Sequence, residues 1–212
     1  VLKYVGRGGL KLEKAVDVFG IDLNGRVCMD IGASTGGFTD CMLQNGAEYV
    51  YAVDVGHDQL DEKLRADNRV CNMEKTNFTE LFPENFEPYP NFFSVDVSFV
   101  SLKKIIPRLS EFMKEGSSAA VLIKPQFEAG KSDIGKNGIV KDRKVHLRVL
   151  NELMAFFSQN GLAVKGLDFS PISGGDGNIE YLAYIARNDG KTSVIDVKKV
   201  IDEAFSNIRR KD

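Results

Sequence analysis

Three cysteines, Cys28, Cys41 and Cys71, are all that the 212-residue chain carries. They are odd in number, lie in or beside apolar runs and form no C-x-x-C pair, which argues against a disulfide framework and a zinc knuckle. Buried free thiols in a reducing cytoplasm are expected instead. A run of about 18 apolar residues, the length of a helical membrane span, is also missing. So is a basic excess: Lys and Arg number 28 against 30 Asp and Glu, a formal net charge of −2. Proteins that bind nucleic acid usually neutralise phosphates with a basic surface, so an RNA role here must rest on a local patch or another module. Two clusters could form such a patch: Lys3, Arg7, Lys11 and Lys14, and Lys131, Lys136, Lys141, Arg143, Lys144 and Arg148. Alone, each is equally an ordinary solvated face. With 43% hydrophobic and 27% charged residues, the length suits one globular domain with a filled core. The first residue is Val1, as expected of a fragment or processed product.

The dinucleotide fingerprint G-x-G-x-x-G is absent too, because Ser34 stands two residues after Gly32. What is present is Asp30-Ile31-Gly32-Ala33-Ser34-Thr35-Gly36-Gly37-Phe38-Thr39-Asp40, preceded by the apolar Val27-Cys28-Met29 and followed by Cys41-Met42-Leu43. This reads as strand, glycine turn and helix. Glycines let backbone approach a ligand closely, and the first N–H groups of the following helix face it. The D-x-G-x-x-x-G-G spacing favours a nucleoside without a pyrophosphate, such as S-adenosylmethionine, over NAD.

Periodicity arranges the rest. Leu10, Leu12, Ala15, Val16 and Phe19 mark a helix that Gly20 ends. Tyr49 to Val53, Arg69 to Asn72, Phe92 to Asp96 and Ser118 to Ile123 read as strands, with a helix expected over Asp58 to Leu64. Ser101 can cap a helix whose interior Pro107 implies a kink or late start. Residues 126 to 142 read as a long loop of the kind that forms lids. A strong amphipathic helix follows over Arg143 to Phe157. Leu162 to Phe169 and Ile179 to Ala186 should be an antiparallel pair, and Ser193 to Ile208 a helix with one apolar face. The expected fold is α/β and Rossmann-like: a mostly parallel seven-stranded sheet with a terminal antiparallel strand and helices on both faces. Residues 1–190 are expected to form one domain and 191–212 an amphipathic helix packed on it.

In such a sheet ligands sit beyond the carboxyl ends of the parallel strands. Asp54 follows the turn by roughly 20 residues, where a carboxylate accepts hydrogen bonds from ribose hydroxyls. Asp96 and Lys124 end later strands, and Glu180 joins them if the last strand runs antiparallel. Burial and a nearby cation favour a neutral Lys124 amine that can act as a base, whereas Asp96 and Glu180 favour the charged form. The residues alone leave that balance open, and they leave open a structural salt-bridge set as well.

Tyr4-Val5-Gly6-Arg7-Gly8-Gly9-Leu10-Lys11-Leu12, the Asp30 to Thr39 turn, Val95-Asp96-Val97-Ser98-Phe99-Val100-Ser101-Leu102, Lys124-Pro125-Gln126-Phe127-Glu128 and Gly177-Asn178-Ile179-Glu180-Tyr181 together resemble the TlyA (hemolysin A) family. These are FtsJ-like, S-adenosylmethionine-dependent ribose 2′-O-methyltransferases of ribosomal RNA. The resemblance implies a Lys-Asp-Lys-Glu tetrad at Lys11, Asp96, Lys124 and Glu180, although spacing alone would leave Lys11 a solvated helix residue. It implies Lys124 as base or proton acceptor, Asp96 orienting it, and Lys11 and Glu180 positioning the nucleotide. Cofactor contacts would come from Asp30, Gly32, Ala33, Ser34, Gly36, Gly37, Phe38 and Thr39 for the methionine part. Asp54 and Val55 would serve the ribose, and Asn72 and Met73 the adenine. The partner would be ribosomal RNA or a ribosomal subunit. A small RNA-binding domain ahead of Tyr4 is also implied, which would account for the Val1 start and the acidic balance. Thr35 departs from the proline common among FtsJ relatives and should alter only the stiffness of the turn.

Other chemistries fit less well. Adenine amino-group methylation would want a proline pair after Asp96, not Val-Ser-Phe. Carbon-5 methylation of pyrimidines needs a nucleophilic cysteine at a catalytic strand end, for which only Cys71 is a candidate. Ser34 disfavours an NAD-dependent dehydrogenase. A membrane-active toxin has one supporting feature, the terminal amphipathic helix, and its apolar stripe is ordinary for a packed helix.

Overall fold

The computed structural model describes residues 1–191 and 193–208. Thr192 and residues 209–212, part of the expected terminal segment 191–212, lie outside the described residues. The chain order is α1 (Gly9–Phe19), β1 (Val27–Ile31), α2 (Gly37–Gln44), β2 (Tyr49–Val53), α3 (Glu62–Arg65), β3 (Val70–Met73), β4 (Phe92–Val95), α4 (Ile106–Phe112), β5 (Ser118–Ile123), α5 (Pro125–Glu128), α6 (Arg143–Gln159), β6 (Leu162–Phe169), β7 (Tyr181–Arg187) and α7 (Val197–Asn207).

The strands form one sheet in the order β3-β2-β1-β4-β5-β7-β6. From β3 to β5 all neighbours are parallel, and β7 runs antiparallel to both β5 and β6. Strands buried on two sides read as continuous apolar runs, and side chains alternate between the faces. Met29, Ile31, Tyr51, Val53, Phe93, Val95, Ala119, Val121 and Ile123 share one face with Ile106, Leu109 and Phe112 of α4 and Val149, Leu153 and Phe157 of α6. Cys28, Val50, Ala52, Phe92, Ala120 and Leu122 share the other with Leu12 and Ala15 of α1, Phe38 and Met42 of α2 and Leu64 of α3. Helices therefore cover both faces. On α7, Val197, Ile201 and Ala204 are buried in the first of these clusters, so its apolar stripe is a packing face. Among the described residues no helix is long and apolar enough to cross a membrane.

Some boundaries differ from the periodic pattern for local reasons. The Asp61 side chain accepts from the Lys63 N–H and starts α3 there, later than Asp58. Ser101 caps only a 3₁₀ turn over Leu102–Lys104, and α4 begins next to Pro107, where a missing N–H costs nothing. The expected loop from Gln126 opens with the four-residue α5. Cys28 and Cys41 are buried, whereas Cys71 on β3 is only partly so.

Candidate active site

The chain reverses its winding at β1, with β2 on one side and β4 on the other, which makes the gap beyond their carboxyl ends the natural ligand crevice. The turn after β1 fills that crevice with backbone. Gly32 has φ 86°, and a Cβ there would lie 2.0 Å from the Asp96 carbonyl oxygen. Only glycine fits. Gly32 and Ala33 donate to the Val53 carbonyl at 2.8 and 3.0 Å, which leans the turn onto β2. Ser34, also left-handed at φ 51°, donates its N–H to Asp54 Oδ2 at 2.8 Å, and Gly56 donates to Asp54 Oδ1 at 2.8 Å. Asp54 therefore stands at the end of β2 against the turn, followed by the exposed Val55. Asn72 and Met73 close β3 at the same edge, and the Asn72 amide donates to Glu74 Oε1 at 2.9 Å.

Asp30 lies beneath the turn with no solvent exposure. It accepts from Thr39 Oγ1 at 2.7 Å and Ser94 Oγ at 3.1 Å, so it braces the first turn of α2 against β4. Burial pushes its carboxyl up to about 7, against the hydroxyl donors that favour the anion. Gly37, Phe38 and Thr39 form the first turn of α2, where N–H groups lack helical acceptors.

The tetrad gathers at this edge from four distant stretches. Lys124 follows β5 and Asp96 follows β4, and Lys124 Nζ lies 2.5 Å from Asp96 Oδ1 and 3.1 Å from Ser98 Oγ. Tyr181 pairs with Ile123 across the antiparallel β5–β7 ladder, so Glu180 stands beside Lys124. Lys11 Nζ reaches Glu180 Oε1 at 2.6 Å, with both side chains almost wholly buried. Lys11 is thus no solvated helix residue. Burial raises the Glu180 carboxyl, opposed by Lys11 and Lys124. The close approach of α1 depends on small residues. A Cβ at Gly37 would lie 2.8 Å from the Gly9 nitrogen, and one at Gly6 would lie 2.9 Å from Thr35 Oγ1. The Val5 N–H donates to Asp40 Oδ2 at 2.9 Å and ties the leading segment to α2.

Four features at this edge were not singled out by the sequence. Phe99 is 91% exposed with φ 62°, its ring 5.1 Å from that of Phe127. Glu128 accepts from Ser101 Oγ at 2.6 Å and the Leu102 N–H at 2.8 Å. The Gln126 amide donates to Asp176 Oδ2 at 3.3 Å, while its buried carbonyl has no hydrogen-bond partner among the described residues. Asn178 donates to Gly138 O and Asp176 Oδ2 and accepts from the Val140 N–H, tying the 131–140 loop to the β6–β7 connection. All four lie in the quoted motifs or next to them, but left-handed backbone and loop-to-loop bonds leave no periodic signal. The basic clusters divide. Lys3 pairs with Glu13 and Lys14 with Asp168, leaving Arg7 exposed and, among the described residues, without an ion pair. Arg143 and Arg148 pair with Asp202 and Asp133, whereas Lys131, Lys136, Lys141 and Lys144 are exposed with no ion pair among the described residues.

A strand-end lysine and aspartate thus face a buried lysine and glutamate next to the glycine turn. The FtsJ-like methyltransferase family matches residues 4–187. The chain belongs to that family. Among FtsJ-like relatives, a Bacillus subtilis (strain 168) protein named as a candidate rRNA methyltransferase, YqxC, is 48% identical over 99% of this chain and 77% of its own length. The 16S/23S rRNA (cytidine-2′-O)-methyltransferase TlyA of Mycobacterium tuberculosis is 36% identical over 96% of this chain and 76% of its own. A solved candidate hemolysin from Streptococcus thermophilus superposes with a TM-score of 0.93 at 50% identity, covering 98% of this chain and 76% of that one. At 14% identity and a TM-score of 0.64, a candidate S-adenosylmethionine-dependent methyltransferase from Listeria monocytogenes shares the fold, over 86% of this chain and 99% of its own.

Proposed function

We propose that the chain transfers a methyl group from S-adenosylmethionine to a ribose 2′-hydroxyl of ribosomal RNA, acting in the cytoplasm on the RNA or a ribosomal subunit. One observation carries this reading: the Asp96–Lys124 pair and the Lys11–Glu180 pair stand at the same strand edge as the glycine turn. The name of the Mycobacterium tuberculosis relative makes cytidine the first acceptor to test.

The turn from Gly32 to Thr39 suits the methionine part of the cofactor, since its backbone packs too closely for side chains and α2 opens there. The Asp54 carboxylate can exchange its backbone donors for ribose hydroxyls, and Asn72 and Met73 stand where adenine would lie. Bound there, S-adenosylmethionine supplies an electrophilic methyl on a sulfonium. Lys124 would accept the 2′-hydroxyl proton as the oxygen takes the methyl and the methyl–sulfur bond breaks, leaving the neutral thioether S-adenosylhomocysteine. The ammonium so formed is held by Asp96, the pair seen at 2.5 Å, and returns its proton to solvent before the next turnover. Lys11 and Glu180 fix the wall against which the acceptor nucleotide lies. The exposed Phe99 ring beside Ser98 offers that nucleotide a stacking face, as single-stranded RNA bases require. A membrane-active role would need a free apolar helix face, and that of α7 is packed.

Mapping ribose methylation of ribosomal RNA from cells lacking the protein should reveal a lost site, restored by the parent gene but not by K124A. An unchanged map would overturn the assignment. Purified K124A should lose methyl transfer by at least ~100-fold, as general bases contribute, while binding S-adenosylmethionine as the parent does.

A further inference from the structure

We infer that Glu128 is a positioning residue for acceptor binding: it holds the 97–101 segment so that Phe99 stands out from the surface before RNA arrives. This rests on the reading of Phe99 as the stacking face for the acceptor nucleotide.

Phe99 combines two unfavourable features. It leaves a large apolar ring 91% exposed, and it places a non-glycine residue at φ 62°, where side chains crowd the backbone. An unrestrained five-residue connection would relax both. It is restrained at each end. The Asp96 N–H donates to the Ile31 carbonyl at 2.9 Å, which closes the β4 side. On the other side both oxygens of Glu128 are used, one on Ser101 Oγ at 2.6 Å and one on the Leu102 N–H at 2.8 Å. The same Ser101 Oγ accepts from the Lys103 N–H and starts the next turn, so Glu128 fixes the point at which the segment rejoins regular structure. Between these anchors the ring rests against Phe127, the residue before Glu128.

The anchor is chosen against cost. Glu128 is partly buried, and desolvation raises its carboxyl above the ordinary glutamate range even with two donors present. A carboxylate placed there for stability alone would be a poor choice compared with an apolar side chain. Its position explains it. Lys124 immediately precedes α5, and Phe127 and Glu128 lie in that short helix. One four-residue element therefore sets the proton acceptor, the ring that buttresses Phe99 and the brace that holds the segment. The base-stacking face and the amine are thereby held in register with each other.

The test uses the full chain with F99A, E128A and E128Q. Methyl transfer is measured on ribosomal subunits from cells lacking the protein, with S-adenosylmethionine affinity by calorimetry and amide exchange over 97–102. F99A and E128A should each raise the KM for subunits at least tenfold and leave cofactor affinity within twofold. E128Q should stay within threefold of the parent, because its carbonyl still accepts from Leu102. Exchange over 97–102 should quicken at least tenfold in E128A and not in F99A. A parental KM in E128A alongside a raised KM in F99A overturns the brace. A parental KM in F99A overturns the stacking reading beneath it, and in that case parental exchange in E128A would sink the brace as well. If E128A does not fold, S101A, which removes one of the two contacts, carries the same comparison.

Discussion

Asp30 shows how much one residue's setting departs from what its letter implies. The sequence makes it the head of a ligand turn, and the fold places it wholly out of solvent between Thr39 and Ser94. Its carboxyl rises from 3.8 in the free residue to about 7. The sign of the consequence follows from proton counting. Between pH 4 and 7 the native state holds a proton that the unfolded chain has released, so this group's contribution to stability is full below about pH 4 and is lost as pH rises to about 7. Asn at this position cannot titrate. The stability of the parent relative to D30N should therefore fall by about 1.4 kcal/mol per pH unit across that window, the value of one proton. Urea unfolding of both proteins at pH 5, 6 and 7 measures it, and a constant difference would refute the buried protonated carboxyl. A group poised near neutrality also ionises when a cation settles near the turn, which suits a sulfonium ligand. Lys11 teaches the complementary lesson. Helical spacing marks it as polar surface, and only the antiparallel return of β7 buries it against Glu180. No local pattern carries a contact between residues so far apart in sequence, so Asp96, Lys124 and Glu180 were legible as strand-end residues, whereas Lys11 was legible only through the family resemblance.

At the scale of elements, the strands were legible because doubly covered strands are unbroken apolar runs, and the long helix α6 because its apolar residues repeat at helical spacing. The connections were less so. Residues 126–142 read as a loop, yet their first three belong to α5 and the rest is tied down by Asn178, whose amide spans Gly138, Val140 and Asp176. His146 of α6 adds a second tie, with Nε2 2.9 Å from the Val140 carbonyl and Nδ1 2.7 Å from the Tyr181 hydroxyl. These bonds make the loop and the β6–β7 connection one body resting against Glu180. N178A would leave the buried Val140 N–H without that acceptor, a loss of about 1–3 kcal/mol. Amide exchange should quicken over 136–140 and 171–178 together. Exchange that rises in one segment only would show that the two do not move as a unit. The Gly32 turn is the stiffer element, since a Cβ 2.0 Å from the Asp96 carbonyl cannot be absorbed by backbone. G32A should separate β1 from β4 at the crevice and abolish calorimetric cofactor binding while the far sheet edge stays protected from exchange.

For the whole molecule, alternation of strands and helices with a final hairpin was enough to give the sheet, because each parallel crossover has essentially one handedness and each face must be covered. Charge was not so easily read. A net charge of −2 speaks against a nucleic-acid binder when averaged over the chain. The folded distribution is uneven, because ion pairs consume Lys3, Lys11, Lys14, Arg143 and Arg148. Arg7 next to the turn and Lys131, Lys136, Lys141 and Lys144 along the tied loop remain exposed without an ion pair among the described residues. Arg7 follows Gly6, which packs against Thr35 of the turn, and Lys136 and Lys141 bracket the Gly138–Val140 stretch held by Asn178. If all five met phosphates of single-stranded RNA, counterion release would give a slope of log K against log salt of about −3.5. K136A/K141A should make the slope shallower by about 1.4 and weaken binding at low salt regardless of RNA sequence. Filter binding of an unstructured RNA across a salt series reads both quantities. An unaltered slope would place the RNA on another face, and a parental slope much steeper than five phosphates allow would mean that paired lysines are released when RNA binds.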